Sequence, residues 1–265
     1  MRTAGKSLVA LVLIIIAFFS GIIVLHYGVI NAPRNSAALV YKPYIPNDNQ
    51  SVVVICFDDG WKSQLNASEI LDAFGFKATY GIVTSYVDGQ YPAYMSWQDV
   101  KNLELKGDDI ESHSYLHLDL NHVSNEDLLR ETHQSKEDLY SQVSVNASIF
   151  IYPFGVGYDN TTVRAELEKD YQVARALEDE DYVEMDNLTR WSLPAFAILG
   201  NTTLDDFMNI VDIAGGTTVA ILVYHQIGET GDYSISKADF MTQMAYLKTE
   251  NFTVMTMRQL FFEPR

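Results

Sequence analysis

Ser51-Val52-Val53-Val54-Ile55-Cys56-Phe57-Asp58-Asp59-Gly60 reads as a buried strand running into a turn. A short apolar, β-branched run suits a strand covered on both faces, as in parallel sheets. Asp-Asp-Gly then breaks it. Downstream, Ser63–Phe74 places Leu65, Ile70, Leu71 and Phe74 at helical spacing and stops at Gly75. Lys77–Val83 returns to strand, Trp97–Leu105 to helix and Asp109–Ser112 to strand. Ser124 opens a long helix, with an acid three residues on as in a capping box. Its apolar face runs to about Ser144. Ile149–Tyr152, Tyr171–Ala176, Thr218–Val223 and Phe252–Met255 read as strands. Thr162–Lys169, Leu204–Ala214 and Ser236–Glu250 read as helices. This alternation predicts one α/β domain over residues 51–265 with a parallel sheet, open or closed into a barrel.

Upstream, Leu8–Leu25 is 18 residues without a charge. At about 1.5 Å per residue that approaches the ~30 Å of a hydrocarbon core. His26–Ile30 can extend it, and Arg2 and Lys6 before it favour an inside amino terminus. Residues 1–30 are therefore expected to be a transmembrane anchor, and residues 31–50, with three Pro, a linker. A cleaved signal peptide is the alternative, although its apolar core usually spans only about 7–15 residues. The rest of the chain is expected outside the cell, anchored or secreted. Seven Asn-x-Ser/Thr sequons, at Asn49, Asn66, Asn146, Asn160, Asn187, Asn201 and Asn251, point the same way. The alternative is that Asn and Ser/Thr merely share loops.

Asp+Glu number 35 against 18 Lys+Arg, a formal net charge of −17. A surface of that sign repels phosphate backbones, so no nucleic-acid partner is expected. The single cysteine, Cys56, excludes an internal disulfide and a Cys-rich zinc module. Gly-rich phosphate loops and Gly-x-Ser-x-Gly are absent from the sequence, which leaves nucleotide and serine-hydrolase chemistry without support.

In α/β folds the working groups gather at strand carboxyl ends. Asp58 and Asp59 stand at the first. Adjacent carboxylates there need neutralising partners unless the turn is simply solvated. His113 and His117 follow the third strand. Their i,i+4 spacing would let both imidazoles meet one point from a helical turn, and two His with a carboxylate make an open metal site. His225 follows Thr218–Val223, where an imidazole can serve as proton donor or acceptor. Tyr152-Pro153-Phe154-Gly155 ends the fourth strand, where aromatic rings could stack on a sugar and the turn could aim a backbone N–H. Arg190-Trp191 precedes another short strand. His122 and His133 read as exposed, Cys56 as core, and the acidic run Glu178–Asp186 as a solvated loop.

Phe57-Asp58-Asp59-Gly60, His113-Ser114-Tyr115-Leu116-His117, Tyr152-Pro153-Phe154-Gly155 and Leu222-Val223-Tyr224-His225, in that order, resemble the motifs of the polysaccharide deacetylases, the NodB-homology carbohydrate esterases. The resemblance covers roughly residues 51–260. It implies a distorted (β/α) barrel of about seven strands. It implies a divalent metal, usually zinc, on Asp59, His113 and His117. Asp58 would be the base, His225 the acid, and the Phe154 N–H a donor to the oxyanion. Tyr152, Arg190 and Trp191 would stand on the substrate side. The chain departs from the pattern at Cys56, where Thr is usual, and at Ile151 or Tyr152, where an Arg often contacts the catalytic Asp. Arg190 is expected to take over that orienting role. The implied activity is N-deacetylation of an acetylated amino-sugar polysaccharide. The alternatives are an O-acetyl esterase and an inactive glycan-binding module.

Overall fold

The computed structural model describes residues 39–177 and 181–262. The expected anchor, residues 1–30, lies outside them, as do residues 178–180 of the acidic run. Among the described residues no helix is long and apolar enough to cross a membrane.

The strand opened by Ser51 is the axis of the sheet. All six residues of β1 (Val52–Phe57) are fully buried. The chain continues through α1 (Gln64–Phe74), β2 (Thr79–Ile82), α2 (Thr84–Asp88), α3 (Trp97–Leu105) and β3 (Asp109–Ser112). Next, α4 (Asn125–Leu129) passes through a π-turn, Arg130–Gln134, into α5 (Ser135–Val143). Then come β4 (Ile149–Ile151), α6 (Thr161–Asp170), β5 (Val173–Arg175), β6 (Val183–Glu184), β7 (Phe196–Ala197), α7 (Leu204–Val211) and β8 (Thr218–Tyr224). The chain closes with β9 (Gln226–Ile227), β10 (Ser234–Ile235), α8 (Lys237–Thr249), β11 (Thr253–Met255) and α9 (Met257–Phe261).

Strands β5-β4-β3-β2-β1-β8 are parallel neighbours, with β7 parallel to β8 and β11 parallel to the start of β1. The stretch from Arg190 to Ala197 spans the gap between the two ends. Leu193 bridges Arg175 of β5, and Phe196 pairs with Leu222 of β8. The result is an α/β half-barrel of about seven strands. The long elements fall where apolar periodicity places them. The two-residue strands β6, β7, β9 and β10 were not legible, because two residues carry no period.

Alternation along β1 sorts its side chains. Val53, Ile55 and Phe57 join the cluster formed with the helices, whereas Val52, Val54 and Cys56 face a second cluster with Met257, Leu260 and Phe261 of α9. That helix plugs the amino end of the sheet. Arg258 reaches Asp109 and Glu111 at 2.8 Å each, and the Met257 N–H donates to Thr79 Oγ1. The segment expected as a linker is packed here from Leu39 onward. Lys42 and Tyr44 N–H groups donate to the carbonyls of Phe261 and Leu260, and Tyr41 bridges Phe262. The folded unit therefore takes in residues 39–50 as well. With the amino ends plugged, the carboxyl ends are left for the cleft.

Two glycines carry backbone the sheet needs. Gly75 ends α1 in the left-handed region (φ 73°). A Cβ on Gly81 of β2 would sit 2.7 Å from Ile151 and 3.3 Å from the Cβ of His113, so its absence makes room for His113.

Asp108, beside β3, is buried; one oxygen accepts the Ala78 N–H and the other has no partner. Burial pushes its carboxyl up to about 6. A raised acid favours the protonated fold, so its contribution to stability is whole below the unfolded value and is lost as pH rises through about 6. Asp108→Asn is expected to stabilise the protein by about 1–2 kcal/mol at neutral pH and far less near pH 4. Urea unfolding of both proteins at the two pH values checks this.

Candidate metal centre and active site

Asp58 and Asp59 leave β1 in different directions because Asp59 takes φ 74°. The Asp58 N–H still continues the ladder to the Tyr224 carbonyl, and its side chain is buried. Asp59 turns outward, where the Trp61 indole N–H donates to its Oδ2 at 2.8 Å. The other oxygen, Oδ1, lies 3.4 Å from Nε2 of both His113 and His117. The two Nε2 atoms are 3.2 Å apart. His113 Nδ1 lies 2.9 Å from the Ile151 carbonyl. An Nδ1–H donated there turns the Nε2 lone pair toward the carboxylate, the usual second contact of a ligating imidazole. The i,i+4 spacing does not act through a helical turn as expected. Residues 113–119 form a non-helical bend with Ser114 at φ 67° and His117 at φ 61°.

These three residues form the one metal-competent cluster found among the described residues. Ligand atoms on a tetrahedron with bonds of about 2.0–2.1 Å lie about 3.3 Å apart. The triangle of Asp59 Oδ1 and the two Nε2 atoms has edges of 3.2–3.4 Å and fits one face of such a site.

Electrostatics prepare the same groups. Burial raises the Asp58 carboxyl, but Arg175, with His113 and His225, outweighs it and holds the group below the ordinary carboxylate range. Asp59 is likewise pushed up by burial and pulled further down by its hydrogen bond and proximity to His113. Burial and the neighbouring His113 push His117 down to about 4. Burial lowers His113 too, but Asp58 and Asp59 reverse it and leave that imidazole raised.

Arg175 was missed by sequence reasoning. It ends β5, is 0% exposed, and its Nη2 lies 2.5 and 2.6 Å from the two oxygens of Asp58. A lone arginine inside the otherwise apolar Val173-Ala174-Arg175-Ala176 was the available signal. The orienting role expected of Arg190 is thereby corrected. Arg190 stacks over the Tyr41 and Trp191 rings at 5.2 and 5.3 Å, in a separate surface hollow. Tyr152 and Trp191 are also placed away from the cleft. Both are buried, with the Tyr152 hydroxyl donating to the Trp191 carbonyl.

His225 stands at the end of β8 and shares the cleft of about 570 Å³ with Asp58, Asp59, His113 and His117. Gln64 Nε2 donates to both the His225 and Asp58 carbonyls, tying the ends of β8 and β1 together. Phe154, 61% exposed at φ 58°, forms a wall and meets His117 edge-on at 4.5 Å. Tyr233, also lining the cleft, meets His225 edge-on at 5.1 Å. The cleft thus brings two acids and three imidazoles to one set of strand ends, between exposed aromatic rings.

The comparisons agree with that geometry. Residues 46–174 match the sequence model of the family described as Polysaccharide deacetylase. YxkH of Bacillus subtilis (strain 168), provisionally named a polysaccharide deacetylase, is 25% identical over 142 residues, 53% of this chain and 49% of its own. The chain thus spans about half the length of that curated relative. Among solved structures, the Streptococcus pyogenes deacetylase PplD in complex with acetate superposes with a TM-score of 0.55. It is 24% identical, with 60% of this chain and 69% of that one covered. BA3943 of Bacillus anthracis, a CE4 family pseudoenzyme, superposes with a TM-score of 0.59 at 16% identity, over 84% of this chain and 69% of that one. At such identities these two structures share the fold with this chain. The motifs thus stand at the strand ends of this half-barrel, and residues 46–174 of the chain are similar to the polysaccharide deacetylase family.

Proposed function

We propose that this protein is a metal-dependent hydrolase that removes N-acetyl groups from an acetylated amino-sugar polysaccharide at the cell surface. The observation that carries the reading is the convergence of Asp58, Asp59, His113, His117 and His225 on one cleft. A pseudoenzyme can hold the same fold, so the side chains, not the fold, carry the activity.

Asp59 Oδ1 and the Nε2 atoms of His113 and His117 would hold a divalent ion, zinc by donor set. When bound, such an ion polarises an acyl oxygen and acidifies water. Asp58, kept ionised by Arg175, takes the proton of the attacking water. His225 delivers a proton to the amine as the C–N bond breaks. The Phe154 backbone N–H would donate to the developing oxyanion. Phe154 and Tyr233 offer aromatic faces to the sugar rings, and the acidic protein favours neutral or cationic glycans over anionic ones.

His117→Ala is expected to lose zinc and acetate release together, and chelation of the wild type to abolish release until zinc is returned. The assay is acetate release from N-acetylated and O-acetylated glycans in parallel. Full zinc occupancy in His117→Ala would overturn the metal assignment. Release from the O-acetylated panel alone would move the activity to an esterase.

Anchoring by residues 8–30 and export of the domain complete the proposal. Asn49, Asn187, Asn201 and Asn251 are the exposed sequon residues. They would be the glycan acceptors in preference to Asn66 and Asn160, whose side chains are hydrogen-bonded. Glycopeptide mass spectrometry of the native protein tests this, and unmodified peptides at all four would overturn it.

A further inference from the structure

The turn between the two histidines is strained, and its support comes from a residue outside the family motifs. Ser114 and His117 both take positive φ without being glycine. Such positions are strained for residues with a Cβ and persist only where the surroundings over-determine them. The π-turn Arg130–Gln134 supplies those surroundings. Glu131 is fully buried, and its Oε2 accepts the N–H groups of Leu116 at 2.9 Å and Leu118 at 3.4 Å, the residues on either side of His117. Its main-chain carbonyl accepts the Tyr115 N–H at 3.1 Å. One residue thus takes three amides of the turn.

Its neighbours contribute as well. The Arg130 guanidinium lies 4.9 Å over the Tyr115 ring. The His117 N–H donates to Ser114 Oγ, the Ser114 N–H to Ser112 Oγ, and Ser112 pairs with Ser135 beyond the π-turn. The Thr132 carbonyl accepts the Tyr171 hydroxyl. π-turns misalign the helical ladder and are often kept at functional sites. Here Glu131 and Thr132 turn carbonyls to partners outside the helix.

We propose that Glu131 is a positioning residue that locks the His113–His117 turn, so that the two imidazole Nε2 atoms meet the Asp59 oxygen before any ion arrives. This rests on the metal-dependent reading above. It adds that the site is preformed by the π-turn rather than assembled around the ion. A metal-competent triangle then needs no ordering on binding, and affinity follows from preorganisation.

Two measurements test it. In the metal-stripped wild-type protein, the Leu116 and Leu118 amides are expected to be protected from hydrogen exchange, with little further protection on adding zinc. Exchange at open-loop rates until zinc is added would overturn the proposal. This readout needs no variant to fold. Zinc titration against a chromophoric competitor then compares Glu131→Ala with Glu131→Gln, which keeps an acceptor oxygen. Glu131→Ala is expected to bind zinc at least about tenfold more weakly, and Glu131→Gln within about threefold of wild type. Wild-type affinity in a folded Glu131→Ala would also overturn it. If the wild type itself binds no zinc, the metal-dependent reading fails, while amide protection still decides whether Glu131 holds the turn.

Discussion

Asp58→Asn is expected to leave zinc bound and to lower kcat by at least about two orders of magnitude, the contribution of a positioned general base. The change is nearly isosteric and removes the proton acceptor. Asp59→Asn is expected to act differently. It replaces the carboxylate proposed as a metal ligand and should cut zinc affinity first, with activity following. The two residues are adjacent, yet the left-handed backbone at Asp59 sends one carboxylate to Arg175 and the other to the imidazoles. Zinc content and acetate release measured side by side on the two variants decide the matter. Equal behaviour of the pair would count against the separate roles. The geometry also adds a cost. Arg175 is wholly buried against Asp58, so Asp58→Asn leaves a buried guanidinium without its counter-charge. A loss of stability of about 2–4 kcal/mol is expected beside the loss of rate, and both should be read under conditions where the variant is folded.

The second large effect is at Arg175 itself. Arg175→Met keeps a shorter unbranched apolar stem and strips the charge. Asp58 is then buried with its main stabilising partner gone. A loss of about 3–5 kcal/mol follows if the carboxylate stays ionised. The protein can lessen that by letting Asp58 take a proton. The sign is fixed by the depressed native value. Asp58 contributes stability that is present above its unfolded pKa and lost as pH falls through the native one. Without Arg175 the native value rises, and the acid limb of the activity profile should move to higher pH. An unchanged limb in a folded Arg175→Met would refute the assignment of Asp58 as base. In a double-mutant cycle, Asp58→Asn with Arg175→Met should cost less than the sum of the single changes, because neither charge is left alone.

Much of the frame was legible because burial leaves a period in the chain. Trp97–Leu105 and Asp109–Ser112 fall on the observed bounds, and the other long elements within two or three residues. His122 and His133 are exposed and Cys56 is buried, as their surroundings in sequence suggested. The less legible parts are those without a local pattern. The stretch 39–50 looks like a linker because its Pro residues interrupt any period. It is nevertheless packed by pairing with the far end of the chain. Tyr152 and Trp191 look like substrate-side aromatics by type, but both are buried in the core, where the Tyr152 hydroxyl donates to the Trp191 carbonyl.

The sequence by itself determined that this is an α/β protein, and it named Asp58, Asp59, His113, His117 and His225 as strand-end candidates that share one cleft. Motif and strand end coincide within a few residues, so local reading suffices there. Only the tertiary structure decided which arginine faces Asp58. Arg175 is 117 residues away in sequence, and a buried ion pair forms wherever sheet curvature brings two strand ends together. It also decided how His117 is aimed. A left-handed residue held by Glu131 from a separate helix is set by amides and an acceptor that meet only once the sheet and helices have packed.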